Sequence, residues 1–272
     1  MKAAAAFVFG ALSAAVLSGQ QAAPIQDNSF LLEEAYNQEE GVVQHITTFQ
    51  RFRGGSWSAT FTQEWPVPGQ THQLSYTVAW ARVGGEEDFS EGIGDVALNY
   101  RYQLAGNGDA KFACAPRVSV LIPTGDSSRG LGSGSAGLQF DVAASTVLSS
   151  RFVAHTNLGS TWLPRAKNRR GDRAATLAWN AGQSVIWTAL PTFNVLLETA
   201  WTHFENVLGP RRVGTAQAFF VSPGIRWAWN LPSGLQIVPG LAVPVGVGPS
   251  RADRAVFVYL SFEHAMWSPE RP

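Results

Sequence analysis

The sequence lacks most of the features on which soluble enzymes and nucleic-acid-binding proteins depend. It contains one cysteine in 272 residues, which excludes an internal disulfide framework and a cysteine-rich metal site. Charged residues make up 15% of the chain and balance to a net charge of zero. Because nothing in this balance implies a basic face, we expect no nucleic-acid partner.

Long apolar runs are also missing after the first twenty residues. A membrane helix needs about 20 consecutive apolar residues, so a membrane protein of this kind must cross as strands. The start of the chain has the pattern of an export signal. Lys2 is followed by the short apolar run Ala3–Leu17 and then by small residues up to Ala23. We therefore predict a cleaved signal peptide over residues 1–23.

What the chain does contain is a strict alternation, clearest in GIGDVALNYRYQL at Gly92–Leu104. From Val96 onward every second residue is apolar or aromatic, and the residues between include Asp95, Asn99 and Arg101. A period of two places these two sets on opposite faces of a strand. An apolar face backed by charged and amide side chains is typical of a strand between lipid and a polar lumen.

The same pattern returns along the chain in about twelve stretches of a length suited to tilted membrane strands. They are Val42–Phe52, Ser56–Trp65, Thr71–Val83, Gly92–Leu104, Lys111–Ile122, Gly137–Leu148, Arg151–Leu163, Ala175–Ala189, Phe193–Glu205, Gln217–Asn230, Leu235–Val247 and Ala255–Glu263. We predict an all-β protein, a transmembrane antiparallel up-and-down β-barrel over residues 42–267 with a C-terminal tail at 268–272. Gln183 interrupts the alternation of the eighth stretch, which would fit a bulge or a slip in register.

Connections and tryptophans support the same topology. Short turns alternate with longer polar loops, as expected for periplasmic turns and external loops. The longer loops are Gly84–Glu91, Pro123–Ser135, Pro164–Ala174, Asn206–Gly214 and Gly248–Arg254. The ten tryptophans divide between the two ends of the strands, which predicts two interfacial girdles.

Residues 24–41 precede the first stretch. Asp27, Asn28 and Ser29 are helix-capping types, and Glu33 and Glu34 follow where the helix dipole favours them. We predict a short N-terminal helix over Phe30–Asn37. It serves either as a lead-in resting on the rim of the barrel or as a plug at its periplasmic mouth.

The inward face of the predicted barrel gathers polar and charged side chains, which we take as the candidate pore-lining and substrate-contacting set. It consists of Asp95, Asn99, Arg101, Arg117, Asp141, His155, Asn157, Glu198 and Arg226. Arg101, Arg117 and Asp141 lie on sequential strands, so we expect them in one region. The set either forms a salt-bridged network that fills the interior or lines a path for small solutes.

No catalytic motif is present, and we expect neither an enzyme nor any catalytic, cofactor-binding or metal-binding residue. The glycine-rich run Gly130–Gly134 lies between strands rather than before a helix, which disfavours nucleotide binding. His155 shares the inward face with Asn157, and no nucleophile accompanies it. An outer-membrane hydrolase is therefore kept only as a second alternative.

External loops differ in charge. Pro164–Ala174 carries five Arg or Lys residues, and Gly84–Glu91 carries four Asp or Glu residues. The basic loops either gather anionic solutes or contact the phosphates of lipopolysaccharide. Outer-membrane lipid and lipopolysaccharide are thus expected partners, together with a small-molecule solute.

Two stretches resemble known sequences. DNSFLLEEAYNQEEGVVQHI (Asp27–Ile46) resembles the start of a group of bacterial outer-membrane proteins. LIPTGDSSRGLGSGSAGLQF (Leu121–Phe140) resembles the strand–PTGD–glycine-rich loop–strand unit of the family named for the MetA pathway of phenol degradation. The resemblance implies an outer-membrane barrel that passes small molecules, aromatic or hydrophobic ones among them. It brings no catalytic residues.

These observations lead to one hypothesis and two alternatives. The chain is expected to be a bacterial outer-membrane pore or facilitator for passive passage of small solutes. The first alternative is a structural or lipid-interacting barrel with a closed lumen, and the second is the hydrolase. The sequence gives no oligomeric state.

Overall fold

The computed structural model describes residues 28–85, 88–107, 110–232 and 235–266. The predicted signal peptide at 1–23, residues 24–27, Trp267 and the tail at 268–272 lie outside these residues. The boundaries assigned to them therefore remain predictions.

Twelve strands follow one another around a closed barrel, as predicted. They are β1 Val42–Phe52, β2 Trp57–Gly69, β3 His72–Gly85, β4 Asp88–Ile93 with Val96–Tyr102, β5 Phe112–Ile122, β6 Gly137–Ser149, β7 Phe152–Lys167, β8 Arg173–Leu190, β9 Phe193–Gly209, β10 Arg212–Trp227 with Trp229–Asn230, β11 Gln236–Ala242 with Val245–Gly246, and β12 Ala255–Ala265. Each strand pairs antiparallel with the next. The barrel closes where β12 pairs with β1 from Val42↔Ala265 to Phe52↔Ala255.

The chain enters β1 and leaves β12 at the same rim, because Val42 pairs with Ala265. Following the predicted topology, we call this the periplasmic rim and the opposite one the external rim. Within the described residues the chain has no α-helix, only the 3₁₀ turns Ser127–Arg129 and Gly248–Ser250. No helix among those residues is long and apolar enough to cross a membrane.

Side chains alternate across the wall as the pattern predicted. Apolar residues on the outer face are strongly exposed: Phe140 is 49% exposed and Leu158 is 59% exposed. Polar residues on the inner face, such as Ser145, Ser222 and Arg226, are buried. An apolar band this extensive is unfavourable in water and is what lipid selects. Exposed tryptophans flank it toward the external rim (Trp80, Trp162, Trp179) and toward the periplasmic rim (Trp187, Trp229).

The expected alternation of short and long connections holds only in part. Strands β7 to β10 continue beyond their predicted ends, so that most of the loops predicted at Pro164–Ala174 and Asn206–Gly214 is strand. The sequence did not indicate these extensions because their residues are polar, and a hairpin that projects beyond the membrane needs no apolar face. Long external connections remain between β5 and β6, at residues 123–136, and between β11 and β12, at residues 247–254.

The irregularity suggested by Gln183 is absent. Pairing runs in register through Gln183 on both sides, with Thr156 and with Thr199. The side chain points outward with its hydrogen-bonding groups satisfied, since it accepts a bond from Thr156 Oγ1 (2.7 Å) and donates to the backbone oxygen of His155 (3.0 Å). A polar side chain on the lipid face thus breaks the pattern of the sequence without disturbing the ladder.

Candidate functional site

Residues 28–41, the inner segment, run through the lumen in an extended form. The helix predicted over Phe30–Asn37 is wrong, since none of these residues is helical. The segment lies inside the lumen and does not rest on the rim of the barrel as a lead-in, because Ser29, Ala35 and Asn37 are almost completely buried. The capping residues favour a helix locally. In the extended form, however, the backbone groups of the segment bond to side chains of the barrel wall, whereas in a helix they would bond to one another.

From Leu31 to Asn37, every second backbone N–H of the inner segment bonds to a side chain of the wall. The N–H of Leu31 donates to Glu198 Oε1 (2.9 Å) and that of Glu33 to Asn157 Oδ1 (2.7 Å). The N–H of Ala35 donates to Ser145 Oγ (2.8 Å) and that of Asn37 to Gln103 Oε1 (2.8 Å). This period of two is the signature of extended backbone. The wall thus acts as the partner strand that the segment otherwise lacks.

The carbonyl groups of the segment are held in the same way. Asn157 Nδ2 donates to the Glu33 oxygen (2.9 Å) and Gln103 Nε2 to the Ala35 oxygen (2.7 Å). Each of these amides therefore brackets the segment with one donor and one acceptor. Arg101, only 3% exposed, donates to the oxygens of Glu34 (3.1 Å) and Tyr36 (2.8 Å). Two of the predicted lumen residues, Asn157 and Arg101, are thus committed to holding the segment.

The strongest charge contact also joins segment to wall. Arg117 Nε and Nη2 reach the two carboxylate oxygens of Glu33 at 3.1 and 2.9 Å, a bidentate pair. Arg101 Nη1 lies 3.8 Å from the same carboxylate. Arg101, Arg117 and Asp141 do occupy neighbouring register positions, as predicted. Asp141 instead accepts a bond from Asn180 Nδ2 (3.1 Å), and nothing in the sequence indicated that Glu33 would be the counter-ion of Arg117.

At the N-terminal end of the segment, two further predicted residues, Arg226 and Glu198, contact its first described residues. Arg226 Nη1 donates to the backbone oxygen of Asn28 (2.7 Å). Glu198 receives the N–H of Leu31 through one oxygen, and Ser29 donates to Ser184 (2.7 Å). The segment therefore spans the lumen from β3, where Gln38 N–H bonds to Gln73 Oε1 (2.8 Å), to β10.

Apolar contacts seat the segment where the wall has the smallest residues. The Phe30 ring packs against Phe257 and Tyr259, with ring centroids 5.8 and 5.5 Å away. It lies over Gly224 and Gly240, and a Cβ atom at either glycine would overlap the ring. Tyr36 packs in a second cluster, with Ala35, Ala113, Ala115 and Ala143. The wall is shaped to leave room for these side chains.

Asp95 has a different position from the other predicted residues. It lies between the two halves of β4 and accepts bonds from the N–H groups of Gly125 (3.0 Å) and Ser133 (2.7 Å). These residues belong to the loop with the PTGD and glycine-rich motif. In the same loop, Asp126 accepts a bond from the Ser128 hydroxyl (2.6 Å), which lowers its pKa. Asp95 is thus an anchor for an external loop.

His155 acquires a neighbour that the sequence did not identify. Ser145 Oγ lies 2.7 Å from His155 Nδ1, which resembles a nucleophile and base in outline. Ser145 also receives the Ala35 N–H, and both side chains are almost fully buried under the segment. Within the described ranges, no carboxylate is hydrogen-bonded to His155. The Ser145–His155 pair therefore helps to hold the segment in place.

Beside the inner segment, a cavity of about 230 Å³ remains in the lumen. Its lining combines apolar side chains, among them Phe30, Ile46 and Phe257, with threonines of β1 to β3 and with the charged groups of Glu33, Glu64 and Arg117. Two threonine pairs across strands bond to each other there, Thr48 with Thr60 (2.6 Å) and Thr62 with Thr77 (2.9 Å). In the part of the chain that is described, no cluster of three His, Cys, Asp or Glu side chains has an arrangement able to hold a metal ion.

Comparison with known proteins supports the fold. The chain is similar to the crystal structure of an outer membrane channel from Pseudomonas putida F1, with a TM-score of 0.63 and 13% identity over 85% of this chain and 97% of the other. It is also similar, with lower scores, to the KdgM porin (TM-score 0.47, 9% identity, 80% and 98% covered) and the CymD monoaromatic hydrocarbon channel (TM-score 0.42, 11% identity, 86% and 90% covered). No family model matches the chain, and no curated protein does. At 13% identity, the likeness to the Pseudomonas putida channel shows the barrel fold alone.

Proposed function

We propose that the protein is a bacterial outer-membrane channel whose lumen is closed at rest by the inner segment. The observation that carries this proposal is how the lumen is filled. A purely structural barrel fills its interior with side chains of its own wall. Here the wall has small residues, such as Gly224, Gly240 and Ser145, where the segment packs, and several of its long polar side chains bond to the segment. Removing the segment would leave a path through the barrel.

The contacts of the segment suit a closure that can be reversed. Among the described residues it is continuous with the wall through Gly41 and β1, and its other described contacts are hydrogen bonds, the ion pairs of Glu33 with Arg117 and Arg101, and packing. Nothing in them prevents the segment from leaving as a unit. Passage would then follow the inward faces of Asn99, Arg117, Asp141 and their neighbours in the candidate set.

The remaining cavity supports small, partly apolar solutes. An apolar cavity of about 150 Å³ admits one benzene ring, so a space of about 230 Å³ accommodates a single aromatic ring. The lining combines aromatic and aliphatic residues with hydroxyl and charged groups, which suits a molecule with an apolar body and a hydrogen-bonding group. A solute class of small aromatic or hydrophobic molecules is therefore part of the proposal.

Planar-bilayer conductance tests this function. We compare the full exported chain, a variant lacking residues 28–38, and a variant in which Ala35→Cys and Ala143→Cys lock the segment to the wall, with Cys114→Ala removing the native thiol. The deletion is expected to give steady conductance and the full chain brief openings. Openings should disappear in the oxidised lock and return on reduction. Variants with only one introduced cysteine are the controls.

Binding in the cavity also contacts the segment, so a ligand there should favour the closed state. Benzyl alcohol is expected to lower the opening frequency of the full chain, whereas glycerol should not. Absence of conductance in the deletion variant would favour a closed structural barrel. Openings that persist in the oxidised lock would show that solutes pass beside the segment.

A further inference from the structure

Three cations line a hollow at the external rim, on the outer side of the wall. Arg165, Lys167 and Arg173 lie around a hollow of about 360 Å³, which residues of the β5–β6 connection complete. No carboxylate lines it. In the described part of the chain, these three side chains make no ion pair or hydrogen bond. The nearest carboxylate in sequence, Asp172, is engaged with Asn168 Nδ2 (3.0 Å).

The direction of Lys167 and Arg173 follows from the register, whereas Arg165 lies in the register shift between Leu163 and Ala166. Lys167 pairs with Arg173, and the preceding pair, Ala166 with Ala174, is buried on the inner face. Successive residues of a strand point to opposite faces, so Lys167 and Arg173 point outward. On β8, Arg173 therefore shares its face with Trp179 of the external girdle. The cations lie above the apolar band, at the level of lipid headgroups.

An apolar groove of about 450 Å³ lies below the hollow on the same part of the wall. It is lined by apolar residues that include Phe140, Leu158, Trp179, Ala181 and Trp201. Trp179 is six residues from Arg173, about 20 Å along a strand. Unpaired cations at headgroup level and an apolar groove beneath them match a lipid with a phosphorylated head.

We propose that the outer wall over β6 to β9 binds the phosphorylated glycolipid of the outer leaflet, lipopolysaccharide, with a phosphate at Arg165, Lys167 and Arg173 and an acyl chain in the groove. Charge complementarity selects this occupant, because a zwitterionic phospholipid brings its own cation and leaves three arginine and lysine side chains unmatched. Arginine and lysine form charge-assisted bonds to phosphate oxygens. An acyl chain that fits the groove makes more van der Waals contacts with it than mobile lipid tails would.

Native mass spectrometry and thermal unfolding of the full chain in detergent test the proposal. The probe is bisphosphorylated lipid A, compared with dephosphorylated lipid A and with inorganic phosphate. Binding and a raised unfolding temperature are expected for the first probe only. R165A/K167A/R173A should weaken its binding by about tenfold or more. Ala181→Phe, which fills the groove while staying apolar, should weaken it as well.

The matched control is R53A/R251A/R254A, which removes three exposed cations from other external connections. Equal loss in both triple variants would overturn the proposal in favour of general charge attraction. Equal binding of dephosphorylated lipid A would remove the phosphate contact, and equal binding of inorganic phosphate would indicate a site for free anions. If the triple variant fails to fold, Arg173→Gln replaces it with the same expected direction.

Discussion

At the scale of single residues, Arg101 carries the largest share of the connection between wall and segment. Its guanidinium donates to Asn37 Oδ1 (2.8 Å), to Gln73 Oε1 (3.2 Å) and to two backbone oxygens of the segment. Arg101→Met keeps the length of the side chain but leaves these acceptors without their donor. We expect a loss of about 3 kcal/mol in the free energy of unfolding and cleavage by a glutamate-specific protease at Glu33 or Glu34. Unfolding in detergent and limited proteolysis measure the two effects.

The control at the same position is Arg101→Lys, which keeps the charge but loses the fork that reaches several acceptors. It should fall between the wild type and Arg101→Met. An Arg101→Met protein that is as stable and as protease-resistant as the wild type would mean that the other contacts hold the segment without Arg101.

At the scale of elements, the interruption of β4 positions an external loop. Asp95 stands at the break and gathers Gly125 and Ser133, while Thr124 Oγ1 donates to the Gly94 oxygen (2.8 Å). Asp95→Ala should free residues 123–136, which limited proteolysis in that loop would detect. Because Asp95 lies away from the segment contacts, conductance of the variant lacking residues 28–38 should not change. The control is Asp126→Ala, which removes only an exposed side chain that bonds to Ser128 within the loop. It should loosen the loop less than Asp95→Ala does. Altered single-channel conductance in Asp95→Ala would place Asp95 on the solute path instead.

Elements also show what the sequence can and cannot predict. The alternation fixes which side of the wall a residue faces, so Arg101, Asn157 and Arg226 were predicted as inward from their parity alone. The inner segment escaped prediction because its conformation depends on distant residues. Asn28, Ser29 and Glu33 favour a helix locally, whereas Asn157, Gln103 and Glu198 hold the segment extended. The inward glycines Gly224 and Gly240 were the available signal, since a polar inner face without side chains implies that something else fills the space.

At the scale of the whole molecule, the outer band of apolar side chains has a direct consequence for handling. The protein folded in detergent should show β-rich circular dichroism and should migrate differently on gels before and after boiling, because a closed barrel resists detergent until heated. The variant lacking residues 28–38 should keep this behaviour at a lower transition temperature, since the wall ladder is unchanged. A monomer that is soluble in water without detergent would contradict the membrane assignment.

The path of the inner segment also has a consequence for biogenesis. Its bonds join the first described residues of the chain to strands synthesised late, as in the contact between Asn28 and Arg226, 198 positions apart. Contacts of such long sequence separation form late in folding. The segment completes its hydrogen bonds only once β9 and β10 are in place, and Phe30 also requires β12, the strand that seals the seam with β1. The barrel wall thus closes around the extended inner segment. Because Phe30 packs against β12, its native packing forms only after the last strand has paired with the first.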